Sequence, residues 1–208
     1  MPAATANVRL WLWRLAAWAL GLAPLLWLGG RVLQARLGAN PVEFLEHHAG
    51  DWSLRLLLAT LAMTPLRRIT GWPEPLRVRR VLGLWAFFWV CLHFAIYLTF
   101  DLEGSPAALA KDLVKRTYIT IGFAAWLLLV PLAITSTQGW QRRLGRRWAQ
   151  LHRLVYAAAL LGVLHYVWLV KADLREPLLY LAILLALLGW RRPWRGILRG
   201  HSQPRRTP

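Results

Sequence analysis

Six apolar blocks, at about residues 10–28, 52–66, 81–100, 118–135, 148–170 and 177–190, alternate along the chain with short segments that hold most of its charge. A spanning helix takes about 20 apolar residues, fewer where the bilayer is thin. The pattern therefore predicts an all-α integral membrane bundle of six transmembrane helices. It forms one domain over residues 1–200, followed by a disordered cytoplasmic tail over 201–208. The second and sixth blocks are the shortest, and for either alone a buried or re-entrant segment is the rival reading. In the first block Arg14 lies near enough to the start to snorkel, and Pro24 marks a kink. That block reads as a retained anchor rather than a cleaved leader, because no clean small-residue cleavage site follows it and five more apolar blocks do.

Charge orients the spans. Arg67, Arg68, Arg77, Arg79 and Arg80 face only Glu74 between spans two and three, and Arg142, Arg143, Arg146 and Arg147 face no acid between spans four and five. The C-terminal segment adds six more arginines from Arg191 to Arg206, whereas the alternate loops are nearly balanced. Positive charge stays on the cytoplasmic side, which puts both termini there in a multi-pass inner-membrane protein. The net charge of +17 thus sits in loops between apolar blocks, where anionic lipid is its partner and nucleic acid is not. Several of the 14 tryptophans, Trp27, Trp52, Trp72, Trp148, Trp168 and Trp190 among them, fall at block ends where interfacial belts form. Cys91 is the single cysteine, so neither an internal disulfide nor a thiolate cluster can form, and a metal centre would have to use histidine.

Histidine inside a span is costly without a partner, and His93, His152 and His165 lie inside spans. At about 1.5 Å per residue, His93 lies roughly 10 Å below the outer end of span three and His165 roughly 8 Å below that of span five. Those spans run in the same direction. Two imidazoles at one depth on different helices are what a bis-histidine haem b requires, with both residues as axial iron ligands; interhelical hydrogen bonding without metal is the competing reading. His152 precedes His165 by 13 residues, hence roughly 20 Å along the axis and about 140° around the helix. It cannot serve the same iron from the opposite side. It could ligate a second haem, though no spanning partner at its level supplies the sixth ligand, or it could contact a flavin, a quinone head group or a haem propionate. His47 and His48, in the first outer loop, and His201, in the tail, read as solvated surface histidines. Arg55 and Arg153 are candidates for propionates, with snorkelling as the default. The aromatics around His93 (Trp85, Phe87, Phe88, Trp89, Phe94, Tyr97) and Tyr156, Tyr166 and Trp168 would suit a porphyrin wall as well as ordinary packing.

No nucleophile triad, metalloprotease helix, Walker loop or dinucleotide glycine fingerprint occurs, so the chain itself does not transfer hydride from a bound nicotinamide. The run WAQLHRLVYAAALLGVLHYVW over 148–168, with CLHFAIYL around His93 and TLAMTPLRR closing span two, resembles the MsrQ (YedZ) family of the ferric-reductase-like transmembrane group. The likeness covers nearly the whole chain. It implies a haem b-binding membrane subunit that also binds FMN. Such a subunit takes electrons from the respiratory quinone pool or a flavin reductase and passes them to the periplasmic molybdopterin enzyme MsrP, which repairs methionine sulfoxide in oxidised proteins. His93, His152 and His165 match the histidines that the family uses, or is proposed to use, for haem. The wider group has two histidines on each of two helices, against one on span three and two on span five here, so one haem is expected and two are allowed. A transmembrane ferric or quinone reductase, or a histidine-based proton-coupled transporter, would fit the same spans.

Overall fold

The computed structural model describes residues 2–170 and 173–190; Lys171, the arginines from Arg191 onward, His201 and the expected tail over 201–208 lie outside the described residues. Among the described residues every regular element is helical: α1 (Pro2–Leu33), α2 (Pro41–Thr70), α3 (Glu74–Ile96) with a π-helical turn at Tyr97–Asp101, α4 (Pro106–Lys115), α5 (Thr117–Ile134), α6 (Gln138–Leu144), α7 (Arg146–Leu151), α8 (Leu154–Leu169) and α9 (Arg175–Gly189).

Four stretches are long and apolar enough to cross a membrane: Ala6–Leu33, Glu74–Asp101, Thr117–Ile134 and Arg146–Leu169. Helix α2 has the length, at 30 residues, but is charged at both ends, by Glu43, Glu46 and Asp51 at the start and Arg67 and Arg68 at the finish. The described part of α9 has 15 residues.

Local chemistry sets the helix ends. Asn40 caps α2 through its side chain, which accepts from the Glu43 N–H, and Pro41 occupies the first turn, where its missing N–H costs nothing. The same helix stops at Gly71, whose φ of +73° suits a residue without a Cβ and whose N–H returns to the Arg67 carbonyl. Ser105 followed by Pro106 starts α4 in the same way, a short helix between the third and fourth apolar blocks.

Two helical hairpins make the body of the molecule. Helix α2 packs along α3, and α5 along α8; α1 lies against α3, and α9 against α8 and α2. Leu56, Leu61, Leu82, Trp89, Val163 and Leu184 are wholly buried between them. Side chains such as Trp11, Trp18, Leu26 and Leu185 stay more than half exposed, and that apolar exterior belongs against lipid. Polar ties are few and cross helix boundaries. Ser53 Oγ donates to the Ala86 carbonyl at 3.1 Å, joining α2 to α3, and Trp89 Nε1 donates to the Gly21 carbonyl at 3.1 Å, joining α3 to α1. At Gly21 the Trp85 indole occupies the space that a Cβ would need. Close approach of α1 to α3 therefore requires glycine there.

Candidate functional site

His93 on α3 and His165 on α8 face one another across the end of the bundle that carries α4, with ring centroids 6.3 Å apart and planes at 71°. Each ring spends one nitrogen on a backbone carbonyl: His93 Nδ1 pairs with the Glu46 carbonyl at 3.0 Å and His165 Nδ1 with the Tyr118 carbonyl at 2.7 Å. A carbonyl can only accept, so Nδ1 is the protonated nitrogen in both rings. Each Nε2 keeps its lone pair, the tautomer that metal-binding histidines adopt when an outer partner holds the other nitrogen.

The two half-sites are built alike. Each carbonyl lies 47 residues before its histidine. One helical turn after each carbonyl comes a glycine, Gly50 or Gly122, over which the imidazole rests. Advancing Glu46, Gly50 and His93 by one constant interval gives Tyr118, Gly122 and His165, so hairpin α2–α3 and hairpin α5–α8 present their histidines in the same manner. The repetition lies in three positions per hairpin and becomes visible only in the contacts.

Between the rings is a cavity of about 230 Å³, larger than the ~150 Å³ void that admits benzene. Leu54, Leu57, Val90, Ala125, Leu129 and Ala158 form apolar wall, and Phe94, Phe123 and Tyr166 add aromatic wall. Charged and phenolic groups collect toward the α4 end, among them Glu46, Asp101, Arg116 and Tyr118. Tyr97 begins the π turn and donates to Asp112 of α4 at 2.7 Å, which ties α4 beside the cavity. A π turn at such a place is a common mark of a functional segment.

The spacing of the two rings suits a metal held between them. Two metal–imidazole bonds of about 2 Å each, with half a ring beyond each nitrogen, span about 6 Å between ring centres, and the observed spacing is 6.3 Å.

The other candidates fall elsewhere. His152 sits in a turn between α7 and α8 rather than on a continuous helix, so the rotation expected from a regular span does not apply. Its Nε2 meets Thr135 Oγ1 at 3.1 Å, its ring stacks on Trp148 at 4.0 Å, and Trp148 Nε1 donates to the Thr135 carbonyl at 2.9 Å. His47 and His48, expected in a loop, both lie in α2. His47 is 4.0 Å from Glu43 and reaches the cavity edge. The solvated reading of His48 is corrected: its Nε2 is buried, and its ring packs among Trp27, Phe44, Trp52 and Trp89, because α2 begins about three turns earlier than the apolar block. Arg55 lines a separate groove between α1 and α2 and bonds Tyr180 at 2.8 Å and Asp51 at 3.4 Å, while Arg153 is exposed. Of the aromatics, Trp85 and Phe88 pack with each other, and Trp85 with Trp18 of α1, rather than lining the cavity.

Residues 49–163 match the family described as ferric reductase like transmembrane component, a stretch that opens beside Gly50 and closes just before His165. Among curated relatives, the protein-methionine-sulfoxide reductase heme-binding subunit MsrQ of Xanthomonas axonopodis pv. citri (strain 306) is 53% identical over 195 residues, 91% of this chain and 89% of the relative. The chain belongs to the MsrQ family. The MsrQ of Rhodospirillum rubrum is 55% identical over 179 residues, covering 86% of both chains. That of Xanthomonas campestris pv. campestris (strain 8004) is 60% identical over 155 residues, 74% of this chain and 71% of the relative. What sequence reasoning missed in this MsrQ-family site is the second layer: the Glu46 and Tyr118 carbonyls and the two glycines. Equal glycine-to-histidine spacing in two hairpins was the available signal.

Proposed function

We propose that the chain is a b-type cytochrome subunit that holds one haem between Nε2 of His93 and Nε2 of His165 and conveys electrons across the inner membrane to a methionine sulfoxide reductase partner. The observation that carries this reading is the pair of imidazoles across one cavity, each with Nδ1 committed to a helix carbonyl and Nε2 left to ligate. Haem bound there supplies one-electron redox chemistry. The chain's own residues fix the tautomers, keep the surroundings apolar through Leu54, Leu129 and Ala158, and hold the two rings at a metal-sized spacing.

The same repetition supports one haem rather than two. The interval that relates His93 to His165 relates Arg80 to His152, so the position in the first hairpin equivalent to His152 is a cation that cannot ligate iron. His152 already pairs with Thr135.

Six crossings are proposed, with α2 and α9 joining the four apolar stretches and both termini in the cytoplasm. In that orientation the arginine-rich turns at 67–80 and 142–147 face inward, and the α4 end with its histidine pair faces the periplasm. Resemblance to the family supports FMN as a second carrier, the quinone pool or a flavin reductase as donor, and the periplasmic molybdopterin subunit MsrP as acceptor. The names of the relatives support haem and the methionine sulfoxide reductase system.

The test is a reduced-minus-oxidised absorption spectrum of the detergent-purified chain with a pyridine haemochrome assay. A low-spin b-type spectrum at one haem per chain is expected. Two haems would require a ligand other than Arg80 opposite His152, and no haem after expression with ample haem supply would transfer the histidine pair to proton-relay chemistry.

A further inference from the structure

The two half-sites share a plan but not a tolerance. A Cβ built on Gly122 would lie 2.7 Å from His165 Nδ1, 2.9 Å from Cε1 and 3.0 Å from Cγ. Real Cβ atoms essentially never come that close. A Cβ on Gly50 would lie 3.4 Å from His93 Nδ1, 3.5 Å from Cε1 and 3.9 Å from Cγ, which is ordinary contact. In both cases several ring atoms lie near the missing methyl, so each imidazole rests over its glycine.

The His165 ring cannot move off the helix without giving up its partner. Its Nδ1 is drawn to the Tyr118 carbonyl at 2.7 Å, the shorter of the two carbonyl bonds, and that carbonyl belongs to the turn ending at Gly122. Lifting the ring off the helix would lengthen this bond and re-aim Nε2 at the same time. The His93 ring, held at 3.0 Å from the Glu46 carbonyl, has room for a methyl beneath it.

Resting on the haem reading above, we infer that Gly122 is a positioning residue for the His165 ligand, setting its tautomer and aim through the Tyr118 carbonyl, whereas Gly50 plays the same part for His93 with slack. One ligand is fixed by contact as well as by hydrogen bond, the other by hydrogen bond alone. Outer partners of metal-binding histidines change metal affinity by about 10–100-fold when disturbed, so the asymmetry has a measurable size.

The experiment compares Gly122→Ala with Gly50→Ala in the full-length purified chain. Haem per chain is read by pyridine haemochrome, and the angle between the axial imidazoles by the low-spin electron paramagnetic resonance signal. Gly122→Ala is expected to lower haem affinity at least about tenfold and to shift the low-spin signal of what remains. Gly50→Ala should stay within about twofold of the parent with an unshifted signal. Equal effects at the two positions, or an unshifted signal with full haem in Gly122→Ala, overturn the inference.

A folding defect is separated by a cycle on the background His165→Gly with added imidazole as a free ligand. If Gly122 acts through the His165 ring, adding Gly122→Ala to that background leaves imidazole-supported haem unchanged; a second, additive loss overturns the inference. Absence of haem from the parent chain would overturn the haem reading alone. The inference would then be decided by ¹⁵N histidine spectra of the haem-free chain. The Nδ1-protonated tautomer is expected at both positions in the parent and is lost at His165 in Gly122→Ala; its persistence there overturns the inference.

Discussion

Hairpin α2–α3 consists of two unbroken helices joined at Gly71–Pro73, while hairpin α5–α8 follows the same path with two interruptions, after Ile134 and at His152–Arg153. The interruptions meet each other: Thr135 at the first break touches His152 and Trp148 around the second. At the α4 end the two hairpins agree in carbonyl, glycine and histidine. At the opposite end one has Arg80 on a straight helix where the other has His152 in a turn. The lesson is that a histidine in an apolar block can have two quite different causes. A pair whose Nδ1 atoms are both committed to carbonyls, across a shared cavity, is the arrangement that the haem proposal rests on. A single ring that meets a hydroxyl and an indole at a helix break has a structural use of its own, since backbone groups freed inside a membrane must find partners.

The largest effect expected comes from breaking the agreement. His93→Ala and His165→Ala should each abolish the low-spin haem spectrum, because either one leaves a single axial nitrogen for a site spaced for two. Full low-spin haem in both variants would end the pairing. Next in size is Gly21→Ala, which attacks the contact that seats α1 on the first hairpin alone. A methyl there meets the Trp85 indole, and the Trp89 bond to the Gly21 carbonyl is pulled with it. Overpacking of this kind costs about 2 kcal/mol, or roughly 4–8 °C in Tm for a chain of this length. An unchanged or higher Tm would show that α1 moves aside freely.

How much of this could be read from the chain depends on what the signal was made of. The six apolar blocks all fell on helices, four of them on stretches long and apolar enough to cross a membrane, because hydropathy sums over many residues. Their ends were less legible. Glu43, Glu46, His47 and His48 made the start of α2 look like loop, although Asn40-Pro41 followed by Glu43 is a helix start in its own right. His93 and His165 stood out as intramembrane histidines at one depth. Gly50 and Gly122 did not, since a glycine acquires meaning only when the ring resting on it is known. The break at His152 left no trace either, because neither proline nor glycine marks it.

A smaller effect distinguishes the hairpins at mid-depth. Ser53 Oγ bonds the Ala86 carbonyl in the first hairpin, and the equivalent position in the second is Ala125, which has no side-chain donor. Ser53→Ala should therefore make the first hairpin resemble the second, at a cost of about 1 kcal/mol for one interhelical bond in a membrane protein. Thermal unfolding of the haem-free chain in detergent measures it. A loss several times larger would mean that the Ala86 carbonyl has no alternative partner once the hydroxyl is gone.

The smallest effect on the cofactor is expected where family resemblance would look for a large one. His152→Ala removes the ring that bridges Trp148 and Thr135, yet the Trp148 Nε1 bond to the Thr135 carbonyl at 2.9 Å still joins the two breaks. Haem per chain and the low-spin signal should match the parent, with stability lower by about 0.5–1 kcal/mol for one lost interhelical bond. Electron entry from the cytoplasmic side should slow, because the ring lies at the end of the bundle opposite the histidine pair, where a donor arrives. Haem falling by half would make His152 a ligand after all and would remove Arg80 as the reason for a single haem.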